Sequence, residues 1–432
     1  MSNRRLDFDV VVAGAGPAGM AAASVAAENG RKTAVLDATP WIGGQIWRGQ
    51  EAKRSSRAAG RWLERLRASG AQILRCAADV AAPRAGVLLA EAGDSSLEIS
   101  WQRLIIAAGA RELFLPFPGW TLPNVMGPGG IQVLVKAGLP VAGKRVVVAG
   151  SGPLLIAAGA ELRKAGAKVV VVAEQAGFSD LVRFAGSLSR SAPKKIFQAA
   201  QYQLRLLGVP YRTGCWVTEA QGDQKVEQVA IRSQNKTWTL PCDYLACAYG
   251  LAPNLELPRL LGCRLESGAV QVNSFQETSI AGVFCAGEMT GIGGEDRALI
   301  EGRIAGYAAS RRRDKAERFF KARKRARKFS RAMDEAFALR DEVKHLARRE
   351  TIVCRCEDVS RSRLEVHDGW RSAKLHTRCG MGPCQGRVCG GAVRVLFGWE
   401  HESVRPPLFP VSVGTLAGAD ADTSPQDKST RP

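Results

Sequence analysis

The hydrophobic and polar positions along this chain fall into one pattern that occurs twice. Residues 9 to 13, DVVVA, form a short apolar run that enters a turn punctuated by Gly14, Gly16 and Gly19. An alanine-rich stretch follows, and a second apolar run closes at Asp37. Residues 144 to 175 repeat the scheme: KRVVVAG, with Gly150 and Gly152 at its turn, then an alanine- and leucine-rich stretch and the run KVVVVAE ending at Glu174. Short continuous apolar runs alternating with helical stretches predict parallel strands buried on both faces. The expected fold class is therefore α/β, with two Rossmann-like dinucleotide-binding domains.

The residue types at the first turn have specific uses. Gly14 permits the tight turn, Gly16 lets backbone approach a pyrophosphate, and Gly19 allows helix and strand to pack closely. Pro17 and Ala18 open the helix whose N-terminus faces the phosphates, and Asp37 is placed to accept the hydrogen bonds of a ribose diol. Gly43, Gly44 and Gln45, in WIGGQIWRG, make a second small-residue turn where a pyrophosphate would lie alongside. The glycines alone do not separate FAD from NAD. At the second turn the candidate residues are Gly150, Gly152, Pro153 and Glu174, but Leu155 stands at the third glycine position. That site stays open among NAD(P), another nucleotide such as ATP, and no ligand.

Charge changes the picture only locally. Of the net charge of +20, half comes from residues 311 to 349, where apolar positions from Phe319 to Leu346 recur mostly at helical spacing on one side. This reads as a basic amphipathic helical connector, one face packed on its own protein or docked on another subunit, in preference to a membrane or nucleic-acid surface. No apolar run reaches the length of a spanning helix, and Asp7 and Asp9 interrupt any leader after MSNRR, so the expected location is cytoplasmic, with membrane contact at most peripheral.

Eleven cysteines in such a chain read as reduced thiols plus a metal or redox site. Cys354-x-Cys356 and Cys379-x4-Cys384 supply four thiolates, the number taken by a [2Fe-2S] cluster or a structural zinc. The Cys-x-Cys pair and the glycines at 380, 382 and 386, which free amides to approach sulfur, favour iron. Cys389 falls inside a helix expected from about Gln385 and reads as a packed thiol, as do Cys242 and Cys247 in an apolar strand. No redox dithiol follows the first turn, and the four histidines, His345, His367, His376 and His401, all lie near the C-terminal end. Electron transfer is thus favoured over substrate chemistry at the flavin-type domains.

Longer stretches carry resemblances. SIAGVFCAGEMTGIGG resembles the second flavin motif of disulfide-reductase-like flavoproteins, with Gly287 and Glu288 where that family has Gly-Asp. LIIAAGAREL, containing Ala108 and Gly109, looks like the same family's Ala-Thr-Gly strand. Together they imply FAD in the first site. TIVCRCEDVS and TRCGMGPCQGRVCGG resemble the small helical [2Fe-2S] domain of bacterioferritin-associated ferredoxin.

The order of these parts, with PFPGWTLPNVMGPGGIQVLVKAG and YLACAYGLAPNLEL, resembles the alpha subunits of heteromeric amino- and imino-acid dehydrogenases over roughly residues 7 to 400. Opine oxidase, hydrogen cyanide synthase and hydroxyproline or proline dehydrogenase are of this kind. The resemblance implies a hetero-oligomer in which an amino-acid-oxidase-like flavoprotein subunit, the beta subunit, oxidises a C–N bond. This chain would then pass the electrons through FAD and a [2Fe-2S] cluster. Further expectations are a small ferredoxin-like subunit, an FMN where the subunits meet, and a peripheral membrane contact made through the electron acceptor.

The rival is a self-contained NAD(P)H-dependent FAD/[2Fe-2S] reductase serving a ferredoxin-like acceptor. The expected domains are an FAD-binding one from 1–115 and 265–310, an inserted second one from 116–264, the connector at 311–349, the cysteine domain at 350–403, and a tail at 404–432 with a disordered end.

Overall fold

In the computed structural model, the apolar runs become the central strands of two parallel sheets. The structure describes residues 3–48, 57–93, 95–191, 193–234, 236–400 and 404–420. These form two compact units, one from residues 1–109, 253–323 and 403–432, the other from 110–252 and 324–402.

In the first unit, strand Asn3–Ala13 lies between Thr33–Asp37 and Ser95–Ile106, parallel to both, with Val10 opposite Thr33 and Arg103. Gln72–Arg75 and Val283–Cys285 extend the parallel part, while Val87–Ala92 and Ala77–Ala81 add an antiparallel edge. Val10, Val11, Val12, Leu104, Ile105 and Ile106 have no solvent exposure, as expected of strands covered on both faces. Helix Pro17–Glu28 packs against helix Gly294–Ala309 through small residues. A Cβ on Gly302 would stand 2.2 Å from the Ala18 carbonyl, and one on Gly306 would stand 2.5 Å from that of Ala22.

The second unit repeats this plan on a smaller scale. Its parallel sheet runs Tyr211–Thr213, Lys168–Glu174, Arg145–Gly150, Tyr244–Ala248 and Val125–Met126, and an antiparallel sheet of Trp216–Gln221, Gln228–Ser233 and Lys236–Pro241 accompanies it. Cys242 and Cys247 are buried among its apolar residues, and burial pushes both thiols up to about 12.

The chain divides differently from the expected segments. The basic stretch forms helices Arg313–Glu317, Phe320–Ala336 and Asp341–Lys344, and residues 311–323 belong to the first unit, 324–349 to the second. The cysteine segment has an apolar core of its own around Val353, Leu364, Trp370 and Val393 and falls within the second unit, where Trp120 donates its indole N–H to the Ile352 carbonyl at 2.6 Å. The tail starts as ordered structure on the first unit: Leu408 is buried in its core, and Ser412 and Thr415 donate to the Glu91 carboxylate. The expected disordered end lies largely outside the described residues, as does His401.

Candidate redox sites

The expected residues of the first turn converge at the carboxyl ends of the central strands, where ligands of open α/β sheets bind. Gly14, at φ +104°, sits so close to strand Ser95–Ile106 and its exit that a Cβ would meet the Ala107 carbonyl oxygen at 2.5 Å. Gly19 is tighter still, its virtual Cβ being 1.8 Å from the Gly14 oxygen. Gly16 caps helix Pro17–Glu28 with no side-chain hydrogen bond, and the first turn of that helix has no acidic residue. Its N-terminal amides therefore keep the partial positive charge that favours a phosphate.

Asp37 is 8 % exposed and accepts from the Ala15 amide at 2.7 Å and the Thr39 amide at 2.8 Å, which ties the acid to the glycine turn. Gly44 backs onto Gly16, and Gly43 donates to the Ala15 carbonyl at 2.9 Å, while Gln45 is exposed beside them. Ala108 and Gly109 follow the neighbouring strand, where the Asn254 side chain donates to the Ala108 carbonyl and the Ala108 amide faces the Met289 sulfur. Gly287, at φ +83°, abuts Ala18.

Glu288 is turned inward. It accepts from the Gly293 and Gly294 amides at 3.0 and 2.7 Å, at the start of helix Gly294–Ala309, and burial raises its pKa against the pull of those two donors. Beneath it lies a pair that sequence reasoning missed. The buried Arg297 guanidinium donates to Glu301 at 2.9 Å, and Glu301 accepts from the Gly287 amide and the Thr290 hydroxyl. Their i,i+4 spacing is visible in the chain, but nothing local marks either as buried. An uncapped helix start, two glycine turns and an acid at the ribose position fit an FAD.

The cysteine segment is built on short elements. Cys354 ends strand Ile352–Cys354, Cys379 follows helix Trp370–Thr377 through Arg378 at φ +65°, and Cys389 begins helix Cys389–Phe397. The sulfurs of these three buried residues lie within 4.8 Å of one another, with Cys379 and Cys389 at 4.0 Å. Two thiolates on one tetrahedral ion, each about 2.3 Å from it, stand roughly 3.8 Å apart, so this grouping suits a shared metal. Cys356 is exposed and Cys384 half-buried, and these two thiols form a second hydrogen-bonded pair.

Cys354 is held far below the ordinary thiol range by donors: the thiols of Cys379 and Cys389, then the amides of Gly380 and Glu357. Cys379 is pushed up to about 12 and Cys389 higher, since each donates a hydrogen bond to Cys354 and so holds its own proton more tightly. A thiolate ringed by thiols and backbone amides is the donor set of an iron-sulfur or zinc site.

Cys389 reads in the sequence as a packed thiol, yet it joins the sulfur group. The reason is the late helix start. Gln385 at φ +49° and Gly386 at φ +78° break the backbone, so the helix begins four residues further on and puts Cys389 at its first position. The spacing Cys384-x4-Cys389, equal to Cys379-x4-Cys384, is the available signal.

At the second turn, Gly150 approaches the Ala248 oxygen so closely that a Cβ would stand 1.8 Å from it, and Pro153 caps helix Leu154–Lys164. Leu155 turns into the core at 1 % exposure. Glu174 is fully buried, accepting from the Gly152 amide at 2.8 Å and the Ala176 amide at 2.9 Å. Burial raises this carboxyl to about 7.

Because the folded value exceeds the unfolded one, the stability it contributes is complete below the unfolded pKa and is lost as pH climbs through 7. Between about pH 4.5 and 7 the loss is roughly 3 kcal/mol, and Glu174→Gln is expected to flatten that slope. Denaturant melts across this range check it; equal slopes in both proteins would exclude the buried carboxyl as the cause.

Comparison with known proteins agrees with this geometry. Residues 8–313 match the model of the pyridine nucleotide-disulphide oxidoreductase family. An opine oxidase subunit of Rhizobium meliloti (strain 1021) is 33 % identical over 95 % of this chain and 98 % of its own length. The hydrogen cyanide synthase subunit HcnB of Pseudomonas aeruginosa is 32 % identical over 93 % of this chain and 96 % of its own. Among solved structures, L-proline dehydrogenase from P. horikoshii superposes with a TM-score of 0.68 at 21 % identity, covering 96 % of this chain and 80 % of that one. The T. acidophilum thioredoxin reductase matches with a TM-score of 0.55 at 22 % identity, over 71 % of this chain and 98 % of its own.

Proposed function

Because this chain belongs to the pyridine nucleotide-disulphide oxidoreductase family and shares nearly its whole length with subunits of opine oxidase and hydrogen cyanide synthase, we propose that it is the electron-transferring subunit of a multisubunit flavin dehydrogenase. The observation that carries this reading is the presence, in one polypeptide, of a flavin-type glycine turn and a buried three-sulfur group. In the first unit Cys76, Cys263 and Cys285 are buried, and burial lifts the Cys285 thiol well above its ordinary range, so these are poor redox thiols.

Gly14, Gly16, Pro17, Ala18, Gly19, Asp37, Gly43, Gly44 and Gln45 would bind the FAD diphosphate and ribose, with Ala108, Gly109, Gly287 and Glu288 lining the rest. The thiolates of the Cys354–Cys389 segment would hold a [2Fe-2S] centre. When bound, a flavin takes electrons in pairs and the cluster moves them singly, so the two convert between these modes. That the relatives are named as subunits supports a multisubunit complex. In the proposed reading the partner subunit oxidises the C–N bond of an amino acid, imino acid or opine, and FMN where the subunits meet and a small ferredoxin-like chain are further proposed components.

The test is anaerobic. Flavin absorbance of the isolated chain is expected to stay unchanged with NADH, NADPH or amino acids and to bleach once the oxidase-like partner and its amine substrate are added. Direct bleaching by a nicotinamide would support the self-contained reductase instead.

A further inference from the structure

The geometry points to a second dinucleotide unit closed by its own chain: residues Phe337 to Arg340 form a strap over the place where the adenosine ribose would sit, and the unit serves as a platform for the cysteine segment. This inference rests on the electron-transfer reading and concerns where the electrons cannot enter.

Three observations carry it, all within one unit. The first is the strap itself. The Ser151 hydroxyl, in the glycine turn, donates to the Phe337 carbonyl at 3.2 Å. The Gln175 amide donates to the Ala338 carbonyl and to Ser151, both at 3.0 Å, and its oxygen accepts from the Arg340 amide at 3.0 Å. Gln175 follows Glu174 directly, so the strap crosses the carboxyl ends of Arg145–Gly150 and Lys168–Glu174, the strands that frame a bound ribose.

The second is a contrast with the first unit. There the equivalent rim positions are Ala15 and Ala38, which have no polar side chain to hold a strap. Here the two side chains are 5 % and 0 % exposed, and both are spent on residues 337–340.

The third is that the ligand's partners are already engaged. The amide of Gly152, the glycine that approaches a pyrophosphate in such turns, donates to Glu174, and Glu174 itself has no exposed atom to offer a ribose hydroxyl. A pyridine nucleotide, which the family would supply at this turn, does not fit these residues.

The strap is anchored and leads onward to the sulfur site. Phe337 packs edge-on against Phe184 at 5.3 Å, and the Arg340 guanidinium lies over Trp216 at 5.2 Å. Further along, Arg348 pairs with Glu219 at 2.9 Å and Trp120 bonds Ile352, two residues before Cys354. The unit has exchanged a nucleotide for the chain that positions the thiolates.

The experiment uses the full chain loaded with FAD, titrated calorimetrically with ADP-ribose, NADPH and ATP while amide exchange is followed at residues 150–152, 174–176 and 337–340. No saturable binding below about 1 mM is expected, with exchange at these amides unchanged. Binding that protects only residues 14–19 also supports the proposal, since it reports the flavin site. Saturable binding with protection at 150–152 overturns it.

Gln175→Ala is expected to raise exchange at the Arg340 amide roughly tenfold. If that variant does not fold, Ser151→Ala is expected to raise it by a smaller factor. Unchanged exchange at residues 337–340 in whichever variant folds would show that nothing ties the strap down. Nucleotide binding in the second unit would leave partner-driven flavin bleaching intact, so the two readings fail separately.

Discussion

Changing Cys354 to serine is expected to strip the chain of its metal: anaerobic preparations should hold less than about a tenth of the iron and acid-labile sulfide of the unaltered protein. Cys354 is the thiolate on which the other groups converge, taking hydrogen bonds from Cys379, Cys389 and the amides of Gly380 and Glu357. A serine oxygen is a harder ligand on a shorter bond, and it leaves the two remaining thiols facing each other at 4.0 Å. A [2Fe-2S] centre takes two thiolates on each iron; with the Cys356–Cys384 pair on one, Cys354 needs only one of Cys379 and Cys389 on the other, so one of the changes Cys379→Ser and Cys389→Ser should leave iron in place. Elemental analysis with sulfide determination reads all three variants. Zinc without sulfide in the parent chain would sink the electron-transfer role.

The second large effect is expected at Gly19. Alanine there would place Cβ 1.8 Å from the Gly14 oxygen, a backbone atom that cannot rotate away. The helix cannot back off either, because its other face is held where Gly302 leaves no room beside the Ala18 carbonyl. Overpacking at such a contact costs on the order of 3 kcal/mol, and the displaced helix start no longer aims its amides at a phosphate. Gly19→Ala should therefore lower bound flavin at least tenfold and lower the melting temperature.

Gly60 supplies the control. It sits inside helix Arg57–Ala68 with nothing within 4 Å of a virtual Cβ, so Gly60→Ala should be neutral or stabilise by up to about 1 kcal/mol. Flavin absorbance after gel filtration and thermal melts check the pair. Full flavin content in Gly19→Ala would remove the first turn from the cofactor site.

Much of this is legible in the chain because it is local. Each apolar run flanked by a glycine turn is a strand feeding a helix wherever it occurs, so the repeat at Gly14 and Gly150 announces two sheets, and the turn geometry at Gly19 follows from the need for contact at that position. The cysteines disclose a metal or redox site by type and number.

What the chain by itself could not disclose depends on backbone conformation that residue types do not dictate and on partners far away in sequence. Whether Cys389 points at the other sulfurs turns on two positive-φ residues that delay a helix by one turn. Whether Glu174 binds a ribose turns on a strap more than 160 residues later, which no pattern near Glu174 could reveal. Sequence determined the repeated strand–turn–helix plan and the thiolate chemistry, because hydrophobic periodicity and glycine sterics act between near neighbours. Tertiary structure alone decided which sulfurs meet and which of the two turns stays open, because the first depends on a backbone break that brings Cys389 to Cys354 and Cys379, and the second on chain that returns over the sheet from more than 160 residues away.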